Sequence, residues 1–287
     1  MISAFECQGT RHESPKSDLA TSGEAHMGFV RTPDEVARIQ AVLRQPRFVG
    51  SEMLMVEYLT RPQAIAAVLP PDFEPVSEPT VTAMVGRWRS NCVGDYCGGA
   101  IYVPARYKGI EAPYVLAMYM DTDPAIMFGR DVFGEPKKRA SSNLYHQGNA
   151  MHGFVERLGV RLIDIHAVLE KDLGPGKASG ANFNIKATPS ADGASCEDDA
   201  VVTLAEFDNV LSVRREGTAT LTLGSSDHDP VSELEIVSVR SASYVEGDLI
   251  ARAKAIGRIP KNAFFPYLLG RMDDWSRLDT EHNVRVN

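Results

Sequence analysis

Short stretches rich in β-branched and aromatic residues recur along most of this 287-residue chain, and they restrict its fold more than any other feature. Gly, Pro, Asn or Asp separates successive stretches, which is typical of strands joined by tight turns. We therefore predict an α+β fold that is predominantly antiparallel β. Alternation is only rough in residues 160–168, so a helix remains an alternative there. The predicted strands cover residues 53–59, 81–85, 114–120, 160–169, 201–207, 218–223 and 233–239.

Two helices, two loops and an N-terminal arm complete the predicted organisation. The segment Thr32-Pro33-Asp34-Glu35 supplies an N-cap, a proline for the first turn and a capping-box glutamate. A second helix is expected from Thr60, and the Pro70-Pro71 pair ends it. Residues 1–28 have no hydrophobic period and are interpreted as a mobile arm, which leaves residues 29–287 as a single domain. Loops are predicted by composition at residues 172–182 and 190–199.

Composition and charge argue against several classes of partner. With 30 Lys and Arg against 38 Asp and Glu, the formal net charge is −8, and no basic stripe offers a surface for nucleic acid. The longest apolar run, Tyr114 to Met120, is too short for a membrane span. The first residues lack the apolar segment of a secretory signal, so a cytoplasmic location is expected. Cys92 and Cys97 lack further ligands at metal-site spacing, and no metal site is predicted.

The segment MYMDTDPAIMFGRDVFGEPKK, residues 118–138, carries the strongest chemical signal. A turn at Gly134-Glu135-Pro136 would direct Lys137 and Lys138 towards any cavity that the strands enclose. Two adjacent ammonium groups destabilise each other, and apolar walls disfavour the charged form further, which leaves a neutral amine able to attack ketones. The ordinary alternative for a bare dibasic pair is a solvated surface run.

This segment resembles the hallmark of the acetoacetate decarboxylase family, a tract of the form M-Y-x-D-x-x-P-A-I-x-x-G-R-E/D ahead of P-K-K. Weaker agreement extends over residues 46–250, including Asn182 to Pro189 and Glu235 to Ser238. The resemblance implies a cone-like β-barrel with a few peripheral helices. It also implies a small-molecule oxo acid as substrate, assembly as a homo-oligomer, and no cofactor, because an imine is itself the electron sink.

The resemblance assigns roles to residues by their position in the motif. Lys137 would form the Schiff base. The charge of Lys138 would favour the neutral form of the Lys137 amine, which is the activation known for this family. Arg130 would order the lysine loop or face an anionic group of the substrate, with a structural ion pair to a nearby aspartate as the alternative. The family carries an arginine and two glutamates around its pocket, and an ungapped comparison places Ser51, Met84 and Tyr96 at those positions.

Further polar residues are candidates for the same pocket. The phenol of Tyr96 suits proton transfer or water positioning, although packing beside a glycine turn is equally ordinary. Glu135 is a candidate acid or base, with solvation or an ion pair to Arg139 as the alternative. Tyr244 is a second phenol considered for substrate binding. Arg87 and its neighbour Arg89 would replace the missing carboxylate anchor or project outward from an edge strand.

Three functional hypotheses follow. The first is a Schiff-base carboxy-lyase that decarboxylates a 3-oxo acid similar to acetoacetate through an imine on Lys137. The second is an imine-dependent aldolase or dehydratase that acts on pyruvate or another 2-oxo acid. The third is a non-catalytic ligand-binding relative in which the lysines stay charged.

Overall fold

Twelve strands and four α-helices make up the part of the chain that the structure, a computed structural model, describes, residues 28–278. The helices are α1 Pro33–Arg44, α2 Pro62–Val68, α3 Asp123–Phe128 and α4 Lys261–Gly270. A π-helical turn covers Gly129–Phe133, and 3₁₀ turns cover Val231–Glu233 and Trp275–Leu278. The strands are β1 Arg47–Leu59, β2 Phe73–Glu74, β3 Thr80–Ser90, β4 Gly94–Tyr107, β5 Ile110–Met120, β6 Lys137–Arg139, β7 Ser141–Gln147, β8 Ala150–Arg157, β9 Val160–Asp172, β10 Gly176–Lys186, β11 Ala200–Leu223 and β12 Ser238–Ile259.

Seven of these strands close into a barrel. They are hydrogen-bonded in the order β10, β5, β4, β3, β1, β12 and β11, and the ring closes because β11 also pairs with β10. Every neighbouring pair in the ring is antiparallel except β5 with β10, which meet in a parallel bridge between Tyr114 and Phe183. The predicted fold class, mainly antiparallel β with a few helices, is confirmed.

A second group of strands extends from the 24-residue strand β11. Its C-terminal part, Arg215 to Leu223, pairs with β9, and β8 and β7 follow in order. The two strands predicted at 201–207 and 218–223 are therefore one continuous strand. Pairing of β9 on both sides also excludes the helix considered for residues 160–168.

Two predicted elements are wrong. Residues 176–182 form part of β10, because eleven consecutive residue pairs with β11 hold this glycine-rich segment in the barrel wall. Residues 233–239 contain only the start of β12, since the chain after Pro230 turns through Val231–Glu233 before the strand begins at Ser238. The predicted loop at 190–199 is confirmed, with one isolated bridge between Pro189 and Cys196.

Both predicted helices form. In the first, Thr32 N donates to Glu35 Oε2 at 2.9 Å and Glu35 N donates to Thr32 Oγ1 at 3.3 Å, the expected capping box. Two compact units divide the chain into residues 1–38 and 39–287. The proposed arm lies, up to residue 27, outside the described residues, and the single domain over 29–287 stays a prediction. Across residues 28–278, every helix is too short or too polar to traverse a lipid bilayer.

Buried side chains form two clusters because successive residues of a strand point to opposite faces. On β1, Leu54 and Val56 belong to the larger cluster, which also takes residues from β7, β8 and β9. Met53 and Met55 pack against the smaller cluster, which contains Trp88 and other residues that face the barrel interior.

Candidate functional site

The interior of the barrel contains a cavity of 310 Å³. Each of the seven barrel strands contributes at least one residue to its lining. The lining is mostly apolar, and Glu135 and Lys137 are its only charged members among the residues that the structure describes. Sulfur and aromatic side chains supply most of the wall: Met53, Met55, Met84, Met118, Met120, Phe48, Phe128, Phe133, Phe207, Trp88, Tyr96 and Tyr102.

An irregular segment between two strands delivers the lysine to this cavity. After β5 the chain forms α3 and then the π-helical turn, which ends at Gly134, whose φ of 83° is the left-handed cap that glycine favours. Pro136 cannot continue a helix, and the chain re-enters the sheet as β6. Lys137 then lies beside Met118 in the parallel pairing of β6 with β5.

The amine of Lys137 is enclosed beside a carboxylate and an aromatic ring. Only 5% of the residue is exposed, and its Nζ lies 2.7 Å from Glu135 Oε2. No donor among the described residues meets hydrogen-bond geometry with that oxygen. The contact is therefore an ion pair. The same Nζ lies 5.7 Å from the centre of the Tyr96 ring, which stacks on Trp88. Burial, and secondly the negative charge of Glu135, raise the pKa of Tyr96 well above its usual value.

A glycine makes room for this pair. Gly129 has ordinary right-handed helical backbone angles, so its conformation does not require glycine. A Cβ at this position, however, would overlap the carboxylate of Glu135 and the side-chain carbons of Lys137. The absent side chain of Gly129 therefore allows the acid and the amine to lie together against the turn.

Lys138 lies on the opposite face of β6 from Lys137, as alternation along a strand requires. Its Nζ donates to Asp229 Oδ1 at 2.9 Å and to the carbonyl of His228 at 2.7 Å. Asp273 Oδ1 is 3.3 Å away, so two carboxylates balance this ammonium group. The expectation that two ammonium groups face one cavity is wrong. The two side chains lie on opposite faces of the strand, and Lys138 forms ion pairs with carboxylates on its own face.

The Lys138 site is part of a buried ionic network. Arg157 Nη1 donates to Asp229 Oδ2 at 2.6 Å, and its Nη2 donates to Asp273 Oδ2 at 2.6 Å. Tyr119 adds a hydrogen bond from its hydroxyl to Asp229 at 3.2 Å. Burial tends to raise the pKa of Asp273, but the hydrogen bond and charge of Arg157, with the charge of Lys138, lower it below its usual value.

Two arginines hold the backbone of the lysine segment from outside the cavity. Arg130 Nη1 donates to the carbonyl of Lys137 at 3.1 Å, which fits an ordering role. It does not line the cavity, so direct substrate binding by Arg130 has no support from its position. Arg271 donates to the carbonyls of Gly134 and Ile185, and burial lowers its pKa. Arg271 lies beyond the motif, and its sequence context gave no signal of this contact.

The remaining candidates divide between the cavity and its surroundings. Tyr96 and Met84 line the cavity, and Ser51 is buried elsewhere. Tyr244 does not line it, because its side chain belongs to the larger buried cluster and its hydroxyl lies 3.4 Å from Glu52. Burial, and secondly the Glu52 charge, raise the pKa of Tyr244. The expectation that Tyr244 contacts substrate in the Lys137 cavity is therefore wrong.

Arg87 and Arg89 are likewise outside the cavity. They flank Trp88 on β3, so Trp88 points inward while the arginines point to the other face. Glu52 Oε1 lies 3.5 Å from Arg87 and 3.6 Å from Arg89. Neither is on an edge strand, since β3 lies between β1 and β4. The cavity therefore lacks a guanidinium anchor for a carboxylate among the described residues.

The predicted ion pair of Glu135 with Arg139 does not form either. Arg139 pairs with Asp123, and Glu135 turns inward to Lys137.

Away from the barrel interior, His152, Asp164 and His166 bring potential metal-ligand atoms within 4.8 Å of one another on β8 and β9.

Comparisons with known proteins agree with the sequence motif. The sequence model of the family described as acetoacetate decarboxylase (ADC) matches residues 31–257. An acetoacetate decarboxylase of Burkholderia vietnamiensis is 31% identical over 211 residues, which are 71% of this chain and 84% of that protein. The chain belongs to the acetoacetate decarboxylase family. It is thus an enzyme of a carboxy-lyase family, as the resemblance predicted.

Solved structures agree with this assignment at the level of the fold. The crystal structure of acetoacetate decarboxylase from Legionella pneumophila has a TM-score of 0.68 and 26% identity, and the match covers 74% of this chain and 87% of that one. The enduracididine biosynthesis enzyme MppR, complexed with the condensation product of pyruvate and imidazole 4-carboxaldehyde, has a TM-score of 0.64 at 16% identity. That match covers 73% of this chain and 88% of that one, and it shows the shared fold alone.

Proposed function

We propose that this protein decarboxylates a 3-oxo acid through a Schiff base on Lys137. The observation that carries the proposal is the position of the Lys137 amine, buried in an apolar cavity inside the barrel and 2.7 Å from a carboxylate. A lysine nucleophile needs a neutral amine and a water-poor site, and this cavity supplies both a proton acceptor and apolar walls. Membership of the acetoacetate decarboxylase family supports the same chemistry.

The first step forms the imine. Glu135 takes a proton from Lys137 Nζ, and the free electron pair of the nitrogen attacks the ketone carbon of the substrate. The carbinolamine that results loses water, with Glu135 returning its proton to the leaving hydroxyl. The product is a protonated imine positioned β to the substrate carboxylate.

Decarboxylation then moves one electron pair. The bond between the carboxylate carbon and its neighbour breaks, its electrons form the carbon–carbon double bond of an enamine, and the imine nitrogen becomes neutral. Both formal charges disappear as carbon dioxide leaves. Apart from Lys137, no described residue places a cation in the cavity lining, so the substrate carboxylate is poorly stabilised and its loss as neutral carbon dioxide is favoured.

Tyr96 is our candidate donor for the return of the proton. Its raised pKa keeps the phenol protonated, so it acts as a donor rather than as a base. Protonation of the enamine carbon and attack of water on the resulting imine release the ketone and regenerate Lys137.

A second candidate is an imine-dependent aldolase or dehydratase that uses pyruvate. A phenol beside the amine suits proton transfer in carbon–carbon bond formation, and the shared fold with MppR is compatible with this chemistry. Location in the cytoplasm and assembly as a homo-oligomer stay predictions.

Reduction with tetrahydroborate in the presence of acetoacetate tests the imine. We expect a stable adduct on the peptide that contains Lys137, together with release of carbon dioxide in the unreduced reaction. Lys137→Ala should abolish both, whereas the control Lys177→Ala, at an exposed position of β10, should retain both. Absence of an adduct with every oxo acid tried would refute both enzymatic hypotheses and support a ligand-binding protein.

Product analysis separates the two enzymes. Carbon dioxide from 3-oxo acids supports the decarboxylase. An adduct with pyruvate, followed by an unsaturated product with an added aldehyde and no carbon dioxide from 3-oxo acids, would support the aldolase or dehydratase instead.

A further inference from the structure

We propose that the substrate of the Lys137 cavity is a 3-oxo acid with an apolar extension of several carbons beyond acetoacetate; this rests on the proposed decarboxylase function. Two independent features of the barrel interior support it, the volume of the cavity and the chemistry of its walls.

The volume exceeds what acetoacetate requires. The cavity measures 310 Å³, within the range of about 300–1,000 Å³ found for pockets that hold drug-sized ligands. Acetoacetate has roughly seven non-hydrogen atoms and is smaller than such ligands, so part of the cavity stays unfilled beside a bound four-carbon acid. Water left in it would have few polar partners, which makes the space costly to hydrate.

The walls around that space are built for an apolar group. Five methionines line the cavity among the described residues. Four of them occur as pairs two residues apart, Met53 with Met55 on β1 and Met118 with Met120 on β5, so each pair faces the same side of its strand. Met84, the fifth, lies directly across from Met55 in the pairing of β1 with β3. Flexible thioether side chains adapt to alkyl groups of different shape.

Polar groups are a minority of the lining. Among the described residues, uncharged polar groups come from the side chains of Thr82, Asn182 and Asn209, the hydroxyls of Tyr96 and Tyr102, and the indole N–H of Trp88. The charged pair Glu135 and Lys137 fixes where the ketone must lie. The apolar remainder of the wall is therefore available to the part of the substrate that does not react.

Chain length gives a quantitative test. Burial of each added methylene is expected to raise kcat/KM about fourfold, so three methylenes raise it about 60-fold. We would measure carbon dioxide release and tetrahydroborate adducts with 3-oxobutanoate, 3-oxohexanoate, 3-oxoheptanoate and 3-oxododecanoate. The expected result is a rise in kcat/KM to the seven-carbon acid and no further rise at twelve carbons.

A pair of variants locates the effect. Met53→Trp fills part of the cavity from β1 and should lower kcat/KM for the seven-carbon acid at least tenfold more than for 3-oxobutanoate. Met55→Phe is a smaller change in the same wall and should act in the same direction. Met127→Trp is the matched control, because Met127 is 62% exposed and does not line the cavity. It should leave both rates unchanged.

The outcomes separate this inference from the proposed function. Adducts and carbon dioxide from all four acids with equal kcat/KM, or with 3-oxobutanoate preferred, would overturn the apolar extension and leave the decarboxylase intact. No adduct from any acid would overturn both. A rise with chain length that Met53→Trp and Met55→Phe do not reduce would place the extension outside the cavity and also overturn the inference.

Discussion

Substitution of Gly129 by alanine should move the reactive groups while changing the stability of the fold only slightly. The backbone of Gly129, with φ −62° and ψ −46°, accepts alanine without strain. The new Cβ would overlap the carboxylate of Glu135 and the side chain of Lys137, whereas it meets no backbone atom at such short range. Side-chain ends can move aside more easily than backbone, so the free energy of unfolding should fall by only about 1 kcal/mol.

Activity should respond much more strongly than stability. Both displaced groups are buried, and a shift of the amine of about 1 Å is enough to cost about 100-fold in rate. We therefore expect Gly129→Ala to lower kcat for carbon dioxide release and the rate of tetrahydroborate trapping by about 100-fold. Urea denaturation would report the change in stability on the same preparation.

Gly270→Ala is the matched control for this experiment. A Cβ on Gly270, at the end of α4, would meet no atom within 4 Å. Its trapping rate and unfolding curve should match those of the parent protein. If Gly129→Ala kept the parent rate of trapping, then the close packing of Glu135 and Lys137 against the turn would not determine reactivity, and the proposed role of Gly129 would be wrong.

Three further substitutions test other parts of the site. Glu135→Gln removes the proton acceptor and should lower kcat by about 10²- to 10⁴-fold in steady-state assays; an unchanged kcat would exclude general base catalysis by this residue. Tyr96→Phe retains the ring 5.7 Å from the lysine amine but removes the proton donor, so kcat should fall while trapping of the imine persists, and loss of trapping would argue against this role. Asp229→Asn should destabilise the fold by about 3–5 kcal/mol in urea denaturation, because it leaves Lys138 and Arg157 without a full counter-charge. The control Asp208→Asn breaks an exposed ion pair and should cost at most about 1 kcal/mol. Equal effects of the two substitutions would contradict a stabilising role of the buried network.

Local sequence predicted the fold class because most barrel strands carry their own signal. The stretches at 53–59, 81–85 and 114–120 are apolar, β-branched or aromatic, and each lies inside an observed strand. Residues 176–182 lack that signal, and their strand depends on the register with β11. Such a strand is specified by partners distant in the chain, which composition alone does not reveal.

The site shows the same division between local and distant information. The motif placed Lys137 and Glu135 among the candidates and the wider family comparison added Tyr96, and the structure brings these three together. Arg271 and Asp229 lie in segments without a recognisable motif. Their contacts with Gly134 and Lys138 join residues that are 137 and 91 positions apart in the chain. The two lysines point in opposite directions because they are neighbours in strand β6. The turn residues Gly134 to Pro136 did not predict a strand at this position.

The buried network around Lys138 explains how so short a strand keeps the correct lysine in the cavity. Strand β6 has three residues and three register partners on β5, which is little to fix its alignment. A slip of one residue would exchange the faces of Lys137 and Lys138. It would also remove an ammonium group from Asp229 and Asp273 and leave buried charge uncompensated, a cost of about 3–5 kcal/mol. We therefore expect Lys138 and its carboxylates to act as positioning residues for the amine on the other face of the strand.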